Sequence, residues 1–584
     1  MASQFAQPKS KPQKAALKQK LVYSLNEFDG VNTTDDPVSV APAQSPDTLN
    51  TVLDSIGALL PRQGYTKLLT TKLSAQTLGG FAYYRSTGVK QLVYAEGLNW
   101  YAYNNVGGST QLNIASFNPS TPLDFDMYND VMYGVDGNDF IQYNGSTCGI
   151  VGGISGVFTQ PTNIKVHKNR GWIAQGSTIY FSNAGDMTTW PANNYLQVNT
   201  NDGQNITGLG VLNDALVVFK SDSVWYIKGE PLGAGTNTTI GNLSLVQVNS
   251  SVGCVAFRTI RNVESIILFM ARDGIYALQN NTVQLVSDPI NGTFQNDMNN
   301  SAQSLAWGVY NANEKKYLVG YASAASATPN KAICYDLILK RFLIWDDFPG
   351  SWACNFRFNQ IDSTVMGDAN QGNIYELFQG YADIAGYNGT VTGSSSTTLV
   401  DSTAAWATNQ FVDAKVYVGL GTALVYSGVI TANSATTLTV SSWTNGTPPT
   451  LLNYSIGAYN AYWKSKVFDF DDPAMRKRYK YYNVFADTEG PYFLQNGVSI
   501  DFGVLSYNLP PISLASGGVT WDEAGITWDE SGIFWDVAAT VYAQQGLPGQ
   551  GHFIQVIFGS FNSNQPWRVF EHSFTYKLKR ESPN

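Results

Sequence analysis

VMYGVDGNDFIQY (Val131–Tyr143) sets two short runs rich in apolar and aromatic residues on either side of Val-Asp-Gly-Asn-Asp. Period-two alternation places every second side chain on one face of a strand. Asp-Gly between such runs is turn chemistry, because glycine takes the positive φ and an Asx side chain bonds the backbone two residues on. The stretch reads as a β-hairpin. Its phrase returns as LVYAEGLNWYAY (Leu92–Tyr103), WIAQGSTIYFS (Trp172–Ser182) and LVVFKSDSVWYI (Leu216–Ile227). It returns again as ILFMARDGIYAL (Ile267–Leu278) and VMGDANQGNIYEL (Val365–Leu377), with KAICYDLILKRFLIWD (Lys331–Asp346) a further hairpin. The copies lie roughly 40 to 60 residues apart, the range of propeller blades. Radial closure leaves few strand edges exposed. The expected fold is therefore all-β, with a β-propeller of six or seven blades over residues 76–383.

Three other regions flank or interrupt the repeat. Residues 384–460 are rich in Ser, Thr and Gly, alternate in short runs, and are expected to form a small inserted β-domain. Residues 461–584 resume strand patterning in VSIDFGVLSYN (Val498–Asn508) and again from His552 to Arg580, which predicts a C-terminal β-sandwich-like domain. Residues 21–75 form a segment leading into the propeller. Before them, 1–20 is a basic flexible arm ending in KSKPQKAALKQK (Lys9–Lys20).

Within the last domain, GVTWDEAGITWDESGIFWDV (Gly518–Val537) repeats one seven-residue phrase three times. Seven is the coiled-coil period, but Gly518, Gly525 and Gly532 would each cost about 1 kcal/mol inside a helix. β-branched and aromatic residues around them favour extended pieces linked by turns. Trp521, Trp528 and Trp535 then stand at a candidate interface, since aromatic side chains anchor subunit contacts.

The 584 residues carry a net charge of −9, which argues against a general affinity for nucleic acid but leaves room for a passage whose acidic wall DNA does not stick to. Cys148, Cys254, Cys334 and Cys354 lie far apart without zinc spacing and read as free thiols. No apolar run is long enough to span a bilayer, and no signal-peptide core opens the chain. The three histidines, His167, His552 and His572, fit no ligand spacing, and no GxSxG elbow, P-loop or dinucleotide fingerprint occurs. No catalytic residue, cofactor or metal is expected. Two aspartate clusters, Asp124, Asp126, Asp130, Asp136 and Asp139, then Asp469, Asp471 and Asp472, stand beside Gly, Asn or Pro and read first as turn residues. A glycosidase pair is the competing reading. Glu523–Trp528 and Ser182–Trp190 match the Asp-box of sialidase-type propellers only in part.

Taken in order, the phrases resemble the tail nozzle proteins of short-tailed bacteriophages, also called tail tube or packaged-DNA stabilisation proteins. FDGVNTTDDP (Phe28–Pro37) and SPDTLNTVLDSIGALLPRQGYTKL (Ser45–Leu68) are similar to that group's opening, with its G-x-L-x-x-R-x-G-Y phrase. RGWIAQGSTIYFSNAGDMTTW (Arg170–Trp190), LNDALVVFKSDSVWYIKG (Leu212–Gly229) and MGDANQGNIYEL (Met366–Leu377) look like its blades. The resemblance implies a non-enzymatic virion protein, made in the host cytoplasm, forming a homo-hexameric ring in the tail. Such a ring retains packaged DNA and opens for ejection. The implied partners are further copies of the chain, a tail adaptor protein, tail fibres and DNA in transit. Arg62, Arg170 and the run Arg476-Lys477-Arg478 are the candidates for inter-subunit or DNA contact. A receptor-binding or glycan-processing propeller at a tail tip is the alternative.

Overall fold

The computed structural model describes residues 20–579 apart from 70–71, 74, 105–107, 114–115, 120, 153, 155–156, 232–241, 249–250, 359–360, 421–423 and 516–539. The chain is all-β. Seven antiparallel sheets follow one another along residues 77–377, each beginning with its innermost strand. Those strands are Thr77–Tyr84, Asp124–Tyr128, Asn163–His167, Ile206–Leu212, Arg261–Val263, Trp307–Asn311 and Gly350–Phe358. Each neighbours the next, and the seventh neighbours the first, so the sheets close a ring. This is a seven-bladed propeller.

Closure uses a strand from outside the repeat. Tyr65–Lys67 pairs antiparallel with Ile374–Leu377 and becomes the outer strand of the seventh blade. Asp383–Ile384 then adds to Tyr65–Thr66 in parallel. The last blade is thus completed by residues preceding the first, which ties the ends of the ring together.

The hairpins are built as their turn residues dictate. Asp136 Oδ1 accepts from the amides of Asn138 and Asp139, Asp336 Oδ1 from Ile338 and Leu339, and Asp368 Oδ1 from Asn370 and Gln371. Asn144 and Asn311 do the same for Ser146–Thr147 and Asn313–Glu314. Each Asx side chain satisfies amides that the turn leaves without a ladder partner.

Blade faces pack through a tryptophan–glycine device. Trp307 lies opposite Gly320 in its own blade, and an added Cβ at Gly320 would stand 2.1 Å from the indole. Gly350 of the next blade receives the other side of that ring, at 2.5 Å. Trp352 repeats the arrangement between Gly367 of its own blade and Gly80 of the first, each with a Cβ position 2.2 Å from the ring. Both indoles are buried and fill the seam between blades. Gly320→Ala is therefore expected to destabilise the propeller by about 2–3 kcal/mol, because the large ring has no free rotamer to take. A drop in the thermal midpoint at unchanged secondary structure would measure it.

Two sheets from both chain ends form a sandwich. One contains Thr51–Leu53, Leu59–Pro61, Val569–Leu578, Lys477–Asp487 and Thr540–Gly546, with Leu21–Leu25 and Gln550–Gly551 alongside. The other runs Asp47–Leu49, Ala461–Lys464, Ile554–Ser560, Phe493–Ile500 and Leu505–Ser513. Trp463, Leu494, Phe558, Trp567 and Phe574 fill the space between them. The same core continues into Trp307, Trp345 and Tyr375, so the sandwich packs on the sixth and seventh blades without a break. The lead-in segment is structural on both sides: it contributes strands to the sandwich and one to the propeller.

Residues 387–456 fold as a single seven-stranded sheet around Trp406, Phe411, Val416, Ile430, Leu438 and Trp443. Asp413 fixes this insert to the seventh blade by accepting from Lys67 at 2.8 Å, Lys72 at 2.9 Å and Asn373 at 3.1 Å. Burial would raise its carboxyl, but the hydrogen bonds from Lys67, Lys72 and Asn373 outweigh that and hold it below the usual range.

Candidate functional site

The aspartates of the first cluster hold blades together. Beyond the turn role of Asp136, Asp124 Oδ2 accepts from the Ile164 amide at 3.1 Å and Asp126 Oδ2 from Val166 at 2.8 Å. Side-chain carboxylates thereby serve the backbone of the neighbouring inner strand, which turns that edge toward them instead of toward a ladder partner. Asp130 accepts from the amide of Ser86 at 2.8 Å, linking the first and second blades. In the second cluster Asp469 and Asp472 accept from the amides of Asp471 and Met475. Among the described residues no group of three or more His, Cys, Asp or Glu side chains is placed to hold a metal ion. No described helix is long and apolar enough to cross a membrane.

Two of the arginines singled out in the sequence lie inside the chain. Arg62 has no exposed side-chain surface and pairs bidentately with Asp383 at 2.8 and 2.7 Å. Its Nε donates to Asn50 Oδ1 at 2.9 Å, and the guanidinium lies 4.1 Å from the Tyr459 ring centroid. Arg170 is buried and donates to the Ser182 carbonyl at 2.7 Å. An exterior contact for either is excluded by burial. The physical signal was available for Arg62: a lone arginine among Leu, Pro and Gly in a tight lead-in is placed for an internal partner.

Arg476, Lys477 and Arg478 separate by strand alternation. Arg476 and Arg478 are exposed, whereas Lys477 is buried and its ammonium donates to the carbonyls of Asp472 and His552. Lys477 therefore leaves the candidate contact set. Trp521, Trp528 and Trp535, with the rest of the heptad repeat, lie outside the described residues, as does the arm before Lys20. The repeat connects Leu505–Ser513 to Thr540–Gly546, the last strands of the two sandwich sheets. Phe502 and Val504, just before Leu505–Ser513, and Tyr542, within Thr540–Gly546, are 66%, 79% and 64% exposed.

Strand pairing assembles a cationic strip that no local stretch displays. Arg478 stands directly across from Lys577. Lys480 follows on the same strand, and Lys20 lies over the Tyr481 ring at 5.4 Å. Like-charged neighbours, Arg478 first and then Lys577 and Lys20, together with slight burial, push the Lys480 ammonium below its usual range. Among the described residues none of these four cations has a carboxylate within ion-pair distance.

A concave site lies on the propeller axis. All seven inner strands, or the turns leading into them, line a cavity of about 340 Å³ with Phe81, Phe125, Tyr310 and Trp352 on its walls. Its charged groups are Asp124, Lys165, Arg258 and Arg261, with Asp126 bound to Lys165 at 3.3 Å. Burial pushes the Asp124 carboxyl up to about 6 against the pull of Lys165. Burial and then the neighbouring Arg261 push Arg258 down to about 10, so it stays cationic at neutral pH.

No protein-family model and no curated protein matches the chain. Solved structures align with it only weakly. The computationally designed Ika8 protein aligns at TM-score 0.34 and 10% identity, over 60% of this chain and 99% of its own. BBS1N, from its complex with ARL6DN, aligns at TM-score 0.37 and 11% identity over 54% and 97%. The AfRom2 CNH domain aligns at 0.34 and 9% over 54% and 99%. Such likenesses carry no functional argument, and the propeller assignment rests on the cyclic order of the seven sheets.

Proposed function

We propose that the chain is a structural subunit of a short-tailed phage tail, assembling as a ring whose central passage retains packaged DNA and releases it on infection. The observation carrying this reading is the strip Lys20, Arg478, Lys480 and Lys577 on a chain of net charge −9. Like charges held directly across a strand pair are destabilising. Their retention without internal carboxylate partners fits an external polyanion. Repeated around a ring on otherwise acidic walls, such a strip gives phosphates a weak, sequence-independent hold that does not arrest sliding. The N-terminal and blade phrases that resemble nozzle proteins support the same assignment.

The passage in this proposal runs between subunits. A duplex has a major groove about 12 Å wide on its own, far beyond an axial cavity of about 340 Å³ crossed by side chains. Each propeller is then a rigid stave of the wall. The exposed apolar side chains Phe502, Val504 and Tyr542 form the surface assigned to neighbouring copies.

Duplex binding measured by fluorescence anisotropy tests the strip. Arg478→Glu combined with Lys480→Glu is expected to weaken binding at low salt by about tenfold or more and to flatten the log–log salt dependence by about two units. Unchanged affinity and slope in the double variant would remove the strip from any DNA contact. Electron microscopy of labelled particles, with copy number by quantitative mass spectrometry, tests the location. About six copies at the end of a short tail are expected, and placement on peripheral fibres would overturn the nozzle assignment.

A further inference from the structure

We propose that the axial channel of the propeller is a binding site for a small oxyanion, a carboxylate or a phosphate, held between the guanidinium groups of Arg258 and Arg261. This site is independent of the DNA-contacting strip and of the nozzle assignment.

Lys165 pairs with Asp126 at 3.3 Å, and Asp124 serves the Ile164 amide. Asp124 acts on Arg258 and Arg261 only through space, so three cations face two carboxylates and one positive charge is left over. Among the described residues neither arginine has a carboxylate within ion-pair distance. Their hydrogen bonds among the described residues go to backbone carbonyls: Arg258 Nη2 to Leu305 at 3.4 Å, Arg261 Nη1 to Ile260 at 2.8 Å and Nη2 to Ala353 at 3.5 Å. Arg258 is only 8% exposed, and its Nε is fully buried with no acceptor among the described residues. That Nε–H loses hydration without gaining an acceptor, and the guanidinium is left with one long carbonyl contact.

Arg261 also repels Arg258 and lowers its affinity for its proton in a confined site. A shared oxyanion removes both penalties, since each guanidinium fork matches the two oxygens of a carboxylate or phosphate. Arg258 is also accessible from a second cavity of about 320 Å³ on the blade-connecting face, where the buried Thr121 hydroxyl has no partner among the described residues. That cavity gives the ligand a way in. The aromatic walls formed by Phe81, Phe125, Tyr310 and Trp352 would accept the apolar body of a small organic acid behind its charged head.

Calorimetric titration of the full chain with inorganic phosphate and, separately, with benzoate at constant ionic strength tests the proposal. Saturable one-site binding of at least one anion is expected. Tighter benzoate binding identifies an organic-acid site, and phosphate binding alone identifies an inorganic-anion site. Arg258→Met and Arg261→Met should each weaken binding by about tenfold, while Arg272→Met, an exposed arginine outside the channel, leaves it unchanged. A measurement on the unmodified chain guards against misfolded variants. Cys354 lines the channel and Cys148 does not. Bound anion should slow maleimide labelling of Cys354, read by peptide mass spectrometry, by about threefold or more relative to Cys148. No saturation by either anion up to about 20 mM, binding indifferent to both arginine variants, or binding without protection of Cys354 would each overturn the proposal.

Discussion

Replacing Arg62 by methionine is expected to destabilise the protein by about 3–5 kcal/mol, more than any surface change. The guanidinium sits where the three units meet. Asn50 is at the corner between the two sandwich sheets, Asp346 ends the sixth blade, and Asp383 lies at the crossing from the seventh blade into the insert. Arg62 touches all of them: Nε to Asn50, both terminal nitrogens to Asp383, and Nη2 to the Asp346 carbonyl at 3.3 Å. Tyr459, on the return from the insert, stacks on the guanidinium and donates its hydroxyl to the Arg62 carbonyl. Methionine keeps the packing but leaves Asp383 as a buried carboxylate without its cation.

That residual charge makes the effect separable. Arg62→Met with Asp383→Leu should recover a large part of the loss, because a buried ion pair replaced as a whole costs less than one broken in half. Thermal and urea unfolding of the two single variants and the double variant gives the coupling. Strict additivity of the two single effects would mean that the pair does not act as a unit. Limited proteolysis adds a spatial readout: the junction between residues 377 and 387 should become cleavable in Arg62→Met before the blades do.

This junction also marks where the sequence stops being legible. The hairpin phrase predicts the blades because strand, turn and strand are local, and Asp136, Asp336 and Asp368 do in the structure what Asx residues beside turns do everywhere. The insert and the sandwich are visible for the same reason. Blade closure by Tyr65–Lys67 is not, since its partner strand begins at Ile374 and three residues carry no periodic signal. The strip is half visible. Arg478 and Lys480 stand close in the chain, but Lys577 and Lys20 join them only through the pairing of the first and last described sandwich strands. Lys477 leaves the contact set although its neighbours are basic, because alternation along Lys477, Arg478 and Tyr479 sends it inward. Arg258 lies in a three-residue 3-10 turn, Phe257–Thr259, too short for a sequence pattern to foretell which way a side chain points.

Lowering the pH is expected to destabilise the sandwich through His572. Its ring is buried among Phe28, Tyr482, Phe558 and Phe574, with ring centroids 5.7–6.1 Å away. Nδ1 has no hydrogen-bond partner among the described residues. Desolvation alone pushes the imidazole down to about 3 from its ordinary value of 6.5. In the unfolded chain the ring takes up a proton near pH 6.5, whereas in the folded chain it does so only near pH 3. Between those values the unfolded state binds more protons, so stability falls as the pH falls. The contribution is complete above about pH 6.5, shrinks through the window, and is gone below about pH 3, for a total on the order of 5 kcal/mol. His572→Phe retains an aromatic ring in an aromatic cluster and removes the titration. It should match the wild type within about 1 kcal/mol at pH 7.5 and exceed it by about 2–3 kcal/mol at pH 4.5. Carboxylates that titrate in the same range affect both proteins equally, so the difference between the two acid limbs isolates the imidazole. Parallel limbs would mean that water or a counter-charge reaches the ring, and that the aromatic core around it is looser than its packing implies.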